Sequence, residues 1–427
     1  MTRLLIVGGG GREHALAWAC ARDRDDVELI CAPGNAGTDA IATNVPVEVT
    51  DAAALARLAR ERSVDLVVIG PDAAAAAGVA DACAESGIAV FGPTAAAARI
   101  ESSKSFAKQV MARAGIPTAR WLAGTREDRA ALEGFIAELG GRCVVKADGL
   151  ALGKGVTVCD AVLAALDALA ACLDGERFGA AGRTVVVEER LRGNEVSVLA
   201  LCDGERLLAL PSARDYKRSR DGDMGENTGG MGAVAPAPDT DEQRMVSETI
   251  ASVLQPCVDA LRAQGAPFRG CLYAGLMLTA DGIRALEFNA RFGDPEAQVT
   301  LPLVEGPVLE LMLAASHGEL TAGIARRHAA CTVGVVAAAS GYPAAPRTGD
   351  RVTGLGALDP GVLCFHAGTR RGSSGEVLTS GGRVLSVVAR GEDVESARAL
   401  AYANISRIHF EGMRFRHDIG APQKVAA

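Results

Sequence analysis

Through the first hundred residues, apolar runs alternate with Ala-rich amphipathic stretches: Leu4–Val7, Glu13–Arg22, Val27–Cys31, Asp51–Glu61, Leu66–Gly70 and Val79–Glu85. Short apolar runs bounded by Gly or Pro read as buried strands, and the stretches between them as helices, which predicts βαβ units and a parallel sheet. The pattern changes after Gly92-Pro93-Thr94. A basic helix is expected over Ser102–Ala114, then a break at Ile116-Pro117, then a strand Cys143–Lys146 entering a glycine-rich loop. Two β-rich runs flank Arg192-Gly193, and Asp215–Pro238 reads as a long loop rich in Gly and Pro. Loops of that length are uncommon in compact domains and tend to be functional, so this one is expected to serve an active site. Beyond Thr332, short apolar runs between Gly-rich turns predict a small sheet-rich unit with one helix near Val394–Ile408.

With 427 residues the chain exceeds a single core of ordinary size, so three or four units are expected, the second starting near residue 100. Gly or charge interrupts every apolar stretch well before the roughly 20 residues that a bilayer span needs. The first strand begins at once, unlike a signal peptide, so a cytoplasmic protein is expected. A net charge of −8 with scattered Lys and Arg leaves no basic footprint for nucleic acid. Eleven cysteines without CxxC spacing point to buried thiols in a reducing compartment, not to disulfides or zinc. Few apolar helical faces look spare, so a monomer acting on small molecules is expected.

Three segments could carry chemistry. The turn Gly8-Gly9-Gly10-Gly11-Arg12-Glu13-His14 lies between a strand and a helix, where backbone N–H groups and the helix dipole can face an anion. Glu13 stands where a dinucleotide fingerprint has its third glycine, which weakens a nicotinamide role, and a tight turn alone would also use these glycines. Lys146-Ala147-Asp148-Gly149-Leu150-Ala151-Leu152-Gly153-Lys154-Gly155 joins a flexible cover to positive charge suited to a triphosphate. Gly155 after Lys154 excludes a Walker A loop. Downstream, Glu188, Glu189 and Glu195 could read an adenine edge and ribose hydroxyls, although such carboxylates are more often surface charges. In Leu286–Glu296, alternation puts Glu287, Asn289 and Arg291 on one strand face. The oxygen donors suit a hard cation bridging phosphates, and the guanidinium suits charge developing on a transferred phosphoryl group.

Taken in order, the Gly-Gly-Arg-Glu-His-Ala turn, Ala32–Thr38, Lys146–Gly155, Asn227-Thr228-Gly229-Gly230-Met231-Gly232 and Glu287–Glu296 resemble the glycinamide ribonucleotide synthetases. The likeness continues through Gly341-Tyr342-Pro343, Phe365–Thr369, Gly381–Leu385 and Asp418-Ile419-Gly420. The resemblance implies an α/β and α+β chain with an ATP-grasp fold. Its N-terminal parallel-sheet domain would span 1–100, its central domain 101–122 with 192–328, its lid 123–191, and its sheet-rich C-terminal domain 329–427. It implies a ligase that uses ATP and Mg²⁺ (or Mn²⁺) to activate glycine as an acyl phosphate and join it to 5-phosphoribosylamine in purine synthesis. By the same resemblance Lys104, Lys146, Gly153 and Lys154 would hold ATP phosphates, and Glu188, Glu189, Leu191 and Glu195 the adenosine. Glu287 and Asn289 would ligate the metal, while Arg291, Asp294 and Asp215 would serve catalysis. Gly10, Gly11, Asn35, Asp72, Asn227, Gly229 and Gly230 would meet the substrates.

Departures from the family pattern fall at Asp72 (usually Glu), Ala74 (usually Pro), Ala75 (usually Leu), Ser102 (usually Gly), Arg214 (usually Gln), Tyr216 (usually His), Glu226 (usually Pro), Val234 (usually Tyr) and Ala290 (usually Cys). They leave open a paralogous ligase that joins another acid and amine. A nucleotide-binding regulator without ligase activity is a further alternative, against which Glu287, Asn289 and Arg291 argue.

Overall fold

The computed structural model describes residues 1–149, 155–175, 179 and 182–422. The strand Thr2–Gly8 is buried over Leu4–Val7 and pairs in parallel with Val27–Pro33 on one side and Leu66–Ile69 on the other. Thr43–Asn44 and Ala89–Phe91 complete a five-stranded parallel sheet. Alternation along the first strand sends Leu5 and Val7 to the helices Ala52–Glu61 and Val79–Glu85, and Leu4 and Ile6 to the helix Gly11–Ala21. Burial on both faces is why these strands read as unbroken apolar runs. Asp51 caps the helix that follows it, accepting from Ala54 N at 2.9 Å, a contact that stabilises by about 1 kcal/mol.

A four-stranded antiparallel sheet, in the order Trp121–Gly124, Val185–Glu189, Arg142–Ala147 and Val156–Asp160, encloses a core of its own around Leu132, Ile136, Cys143, Val145 and Leu169. A five-stranded sheet follows, in which Asn194–Asp203 and Gly282–Asn289 flank Arg269–Thr279. The segment Asp215–Pro238 differs from the expected loop. Arg214–Asp215 pairs with Gly232–Ala235, which continues onto Cys331–Ala338 and so into the C-terminal sheet with Arg383–Gly391 and Leu363–His366. Arg218–Arg220 and Met224–Asn227 form a separate ribbon. Strands of two to four residues, rich in Gly, are too short to show an alternation in sequence. The last helix runs Val394–Ile405, capped by Asp393.

No disulfide joins the described cysteines, and nine of the eleven are buried. Among the described residues no helix is long and apolar enough to cross a membrane.

Candidate active site

The end of the strand Gly282–Asn289 is the centre of the site. Glu287 and Asn289 lie opposite Gly275 and Tyr273 of the neighbouring strand, and a Cβ at Gly275 would stand 3.2 Å from Glu287 Cγ, so the glycine leaves that side chain its room. Burial pushes the Glu287 carboxyl up, but Lys217, Lys146, Lys104 and Arg291 overcome this and hold it below the usual carboxylate range. Four cations from four separate segments therefore converge on one ionised carboxylate. Arg291 donates to Asn289 Oδ1 at 3.0 Å and pairs with Glu101 at 2.7 Å. Asp72 also faces the guanidinium: burial opposes the charge on Arg291, while Glu101 and then Asp72 stabilise it and raise its pKa.

On the other side of this centre, Lys217 Nζ lies 3.3 Å from Glu195 Oε2, and Tyr273 OH donates to Glu296 Oε1 at 3.0 Å while sharing a hydrogen bond with Ser197. Burial, helped by the carboxylates of Glu296, Glu195 and Glu287 and opposed by Lys217, pushes Asp215 up to about 8.

Lys104 begins the helix Lys104–Arg113, and its Nζ donates to Gly149 O at 3.4 Å, which places it at the mouth of the glycine-rich loop. Asp148 pins that mouth, accepting from Ser105 N at 2.5 Å and from the Ser103 hydroxyl. Gly153 and Lys154 lie outside the described residues. Glu188 is not the surface charge that such a residue usually is: it is 2% exposed and contacts both Lys146 (2.8 Å) and Lys108 (3.0 Å). Glu189 ends that strand with its amide on Arg120 O, and Leu191 follows it, half-buried.

The glycine turn is closed from within. Glu13 accepts from Gly10 N at 2.6 Å and pairs with Arg12, and its side chain fills the space under Gly8 and Gly70, where a Cβ would come within 2.4 and 2.3 Å of it. Asn35 is fully engaged, donating to Gly9 O, Gly10 O and His366 O and accepting from Gly37 N and Thr38 N. It holds the turn to the C-terminal unit. Asp294 stands by the turn, 3.5 Å from where a Cβ of Gly10 would lie, and accepts from Gln298 at 2.8 Å. Arg383 donates to Gly229 O (2.5 Å) and Asp294 O (2.7 Å), and Gly229 N donates to Tyr342 OH. Gly230 packs on Pro295, and Asn227 pairs across the ribbon with Arg218.

The sequence-based set omits Glu101, Lys108, Lys217, Tyr273, Glu296 and Arg383. Glu296 and Arg383 stand within the segments Glu287–Glu296 and Gly381–Leu385 that carry the resemblance, and the i,i+4 spacing of Lys104 and Lys108 on one helix was a further local signal. Two departures lie away from this centre. Arg214 alternates with Asp215 on its strand and is buried against Pro238 O (3.2 Å), and Glu226 is exposed on the ribbon. Ala74 and Ala75 are core residues of the short helix that Asp72 opens.

Family models of phosphoribosylglycinamide synthetase match most of the chain: the N domain over residues 2–101, the ATP-grasp (A) domain over 102–297 and the C domain over 332–422. The phosphoribosylamine–glycine ligase of Streptomyces coelicolor is 48% identical, over 98% of this chain and 99% of its own. The crystal structure of phosphoribosylamine–glycine ligase from Thermotoga maritima superposes with a TM-score of 0.84 at 34% identity, covering 98% of this chain and 100% of that one. A biotin carboxylase domain from Hydrogenobacter thermophilus, bound to MgADP, shares the fold at 18% identity, with a TM-score of 0.75 over 97% of this chain and 91% of that one. With all three domain models in register and relatives alike over nearly their whole length, the chain belongs to the phosphoribosylglycinamide synthetase family of ATP-grasp enzymes.

Proposed function

We propose that this protein joins glycine to 5-phosphoribosylamine, activating the glycine carboxylate with ATP and releasing ADP and phosphate, as a step of de novo purine synthesis. The observation that carries this is the convergence of Lys104, Lys146, Lys217 and Arg291 on ionised Glu287, in a chain that phosphoribosylamine–glycine ligases match over almost its full length.

The donor set fits Mg²⁺. Glu287 and Asn289 offer oxygens on one strand face, and among the described residues no three acidic, His or Cys side chains enclose an ion on their own. Magnesium typically takes one or two protein carboxylates and completes its shell with substrate phosphates and water. Held there, the ion supplies charge stabilisation to the phosphoryl oxygens.

Lys104, Lys146, Gly153 and Lys154 hold the triphosphate. The backbone from Glu188 through Glu189 to Leu191 reads adenine, and Glu195 the ribose. Arg291 stabilises charge on the phosphoryl group in transit, its plane fixed by Glu101 and Asn289. Asp215 keeps its proton near neutral pH and so can donate to the glycine carboxylate without adding negative charge. The Gly10–Gly11 turn, Asp294 and the Asn227–Gly230 segment wall the position of the phosphorylated amine, with Asn35 supporting the turn and Asp72 facing Arg291.

We assign residues 1–100 to an N-terminal domain, 101–122 with 192–328 to the central domain, 123–191 to a lid and 329–427 to a C-terminal domain. The separate core of the lid sheet suits a body that closes over an acyl phosphate and keeps water from it. ADP release measured with a panel of acids and amines tests the assignment. Turnover should require glycine and phosphoribosylamine together; turnover on another pair alone would identify a paralogous ligase instead.

A further inference from the structure

Lys108 lies one helical turn beyond Lys104 and is 2% exposed. Its ammonium donates to Thr118 Oγ1 at 2.7 Å and sits 3.0 Å from Glu188 Oε2, while Lys146 Nζ sits 2.8 Å from the other oxygen of the same carboxylate. One buried anion is thus shared by two buried cations. Burial pulls the Lys108 ammonium down to about 8 against the attraction of Glu188. Burial also pushes the Glu188 carboxyl up, but Lys146 and Lys108 together hold it below its usual range.

A single lysine would neutralise Glu188, so the second cation calls for an explanation. The two lysines are held differently. Thr118, which receives the Lys108 proton, itself donates to Ala285 O at 2.6 Å, so Lys108 is anchored to the central sheet. Among the described residues, Lys146 has besides Glu188 a long contact to Leu286 O, at 3.4 Å, and it faces Glu287. If Lys146 turned toward a phosphate and nothing replaced it, Glu188 would be left as an unpaired charge in the interior, a strongly unfavourable state.

We propose that Lys108 is a positioning residue, the fixed counter-ion of Glu188 that allows Lys146 to exchange this carboxylate for a nucleotide phosphate. The proposal rests on the assignment of Lys146 to ATP phosphates. Without Lys108, Glu188 has Lys146 as its one cationic partner among the described residues and retains it, so the loss falls on nucleotide affinity and spares turnover at saturation.

The test is equilibrium binding of MgATP to the full chain, followed by a nucleotide displacement signal, alongside KM and kcat for ATP. Lys108→Met should raise both the Kd and the KM for ATP roughly tenfold or more, with kcat within about threefold of the parent. Lys108→Arg should recover most of the affinity. So should the double variant Lys108→Met with Glu188→Gln, because without the carboxylate charge Lys146 has nothing to hold it back. An unchanged Kd in Lys108→Met, or a double variant that binds no better than the single one, overturns the proposal. Should Lys108→Met fail to fold, the double variant, in which Lys146 faces Glu287 with no second carboxylate to hold it back, still decides: weak ATP binding there counts against it. Lys146→Met separates the two levels. If that change leaves ATP affinity intact, the assignment of the phosphate site fails and this proposal with it; if it weakens binding while Lys108→Met does not, only the counter-ion role fails.

Discussion

Glu101 and Arg291 meet in a buried ion pair, 2.7 Å from Oε1 to Nη2, that ties the last turn of the helix Ala95–Ser102 to the segment just beyond the strand Gly282–Asn289. The second Glu101 oxygen accepts from Ala290 N at 2.7 Å, so one carboxylate fixes both the guanidinium and the backbone between it and Asn289. Glu101→Gln keeps the shape and removes the charge. We expect kcat to fall by on the order of 10²-fold, as when one preorganised group is lost from a charge-stabilising set, with the KM for ATP little changed. Glu101→Ala should also lower unfolding stability by about 3 kcal/mol, because it strands Arg291 in the interior. Steady-state kinetics and urea unfolding read the two effects separately.

Arg383 reaches from the C-terminal sheet to bind Gly229 O and Asp294 O at once. Both bonds leave the one nitrogen Nη1, so a lysine ammonium, with its three donors, can replace part of the contact. Arg383→Ala should raise the KM for phosphoribosylamine by about ten- to a hundredfold, equivalent to the loss of one or two charge-assisted hydrogen bonds, and leave ATP binding alone, while Arg383→Lys should lose less. An unchanged KM for the amine would remove this residue from the acceptor wall.

Gly230 has φ +113°, in the left-handed region, and a Cβ there would stand 2.4 Å from Pro295 Cδ. Both the conformation and the contact disfavour a side chain, so Gly230→Ala should cost about 2–3 kcal/mol of stability. Gly265, also at positive φ but with nothing within 4 Å of a built Cβ, serves as the comparison: Gly265→Ala should cost about 1 kcal/mol, from conformation alone. Equal losses at the two positions would show that the Pro295 contact does not matter.

His14 and His366 join the N-terminal and C-terminal parts of the chain, with His366 N donating to His14 Nδ1 at 2.9 Å. Burial, reinforced by His366, lowers the pKa of His14 to about 3; burial, reinforced by Arg371, lowers that of His366 to about 4. The unfolded chain takes up these protons below about pH 6.5 and the native one does not, so stability is lost as pH falls from there toward 4. Each imidazole contributes a slope of about 1.4 kcal/mol per pH unit. Native Asp215, held near 8, opposes part of this loss, so unfolding at pH 7, 6 and 5 should show a net decline of about one group's slope, which His14→Gln should lower by about 1.4 kcal/mol per pH unit. A slope unchanged by His14→Gln would mean that this ring is solvated.

Local features were legible in sequence and long-range pairings were not. The alternation of Leu4–Val7 with its neighbours gave the parallel sheet, because burial on two faces imprints itself on four consecutive residues. Glu287, Asn289 and Arg291 were readable as one face because a strand repeats every two residues. Glu101 carried no such mark, since its partner is 190 residues away and an isolated Glu in sequence reads as solvated surface, and Arg383, though within Gly381–Leu385, had nothing local to show its bond to Gly229, 154 residues away. Arg214 misled for the opposite reason. It departs from the family pattern beside Asp215, yet alternation turns it into the interior near Pro238, away from the cations around Glu287. The strands within Asp215–Pro238 were hidden by their length, since two residues cannot display a period.

The central claim is that ATP activates the carboxylate of glycine itself before phosphoribosylamine attacks. Glycine labelled with ¹⁸O in both carboxylate oxygens, supplied with ATP, Mg²⁺ and freshly generated phosphoribosylamine, tests this directly by mass analysis of the released phosphate. An acyl phosphate intermediate transfers one labelled oxygen to each phosphate formed, with the other retained in the amide. Phosphate that carries no label while amide accumulates would contradict the account.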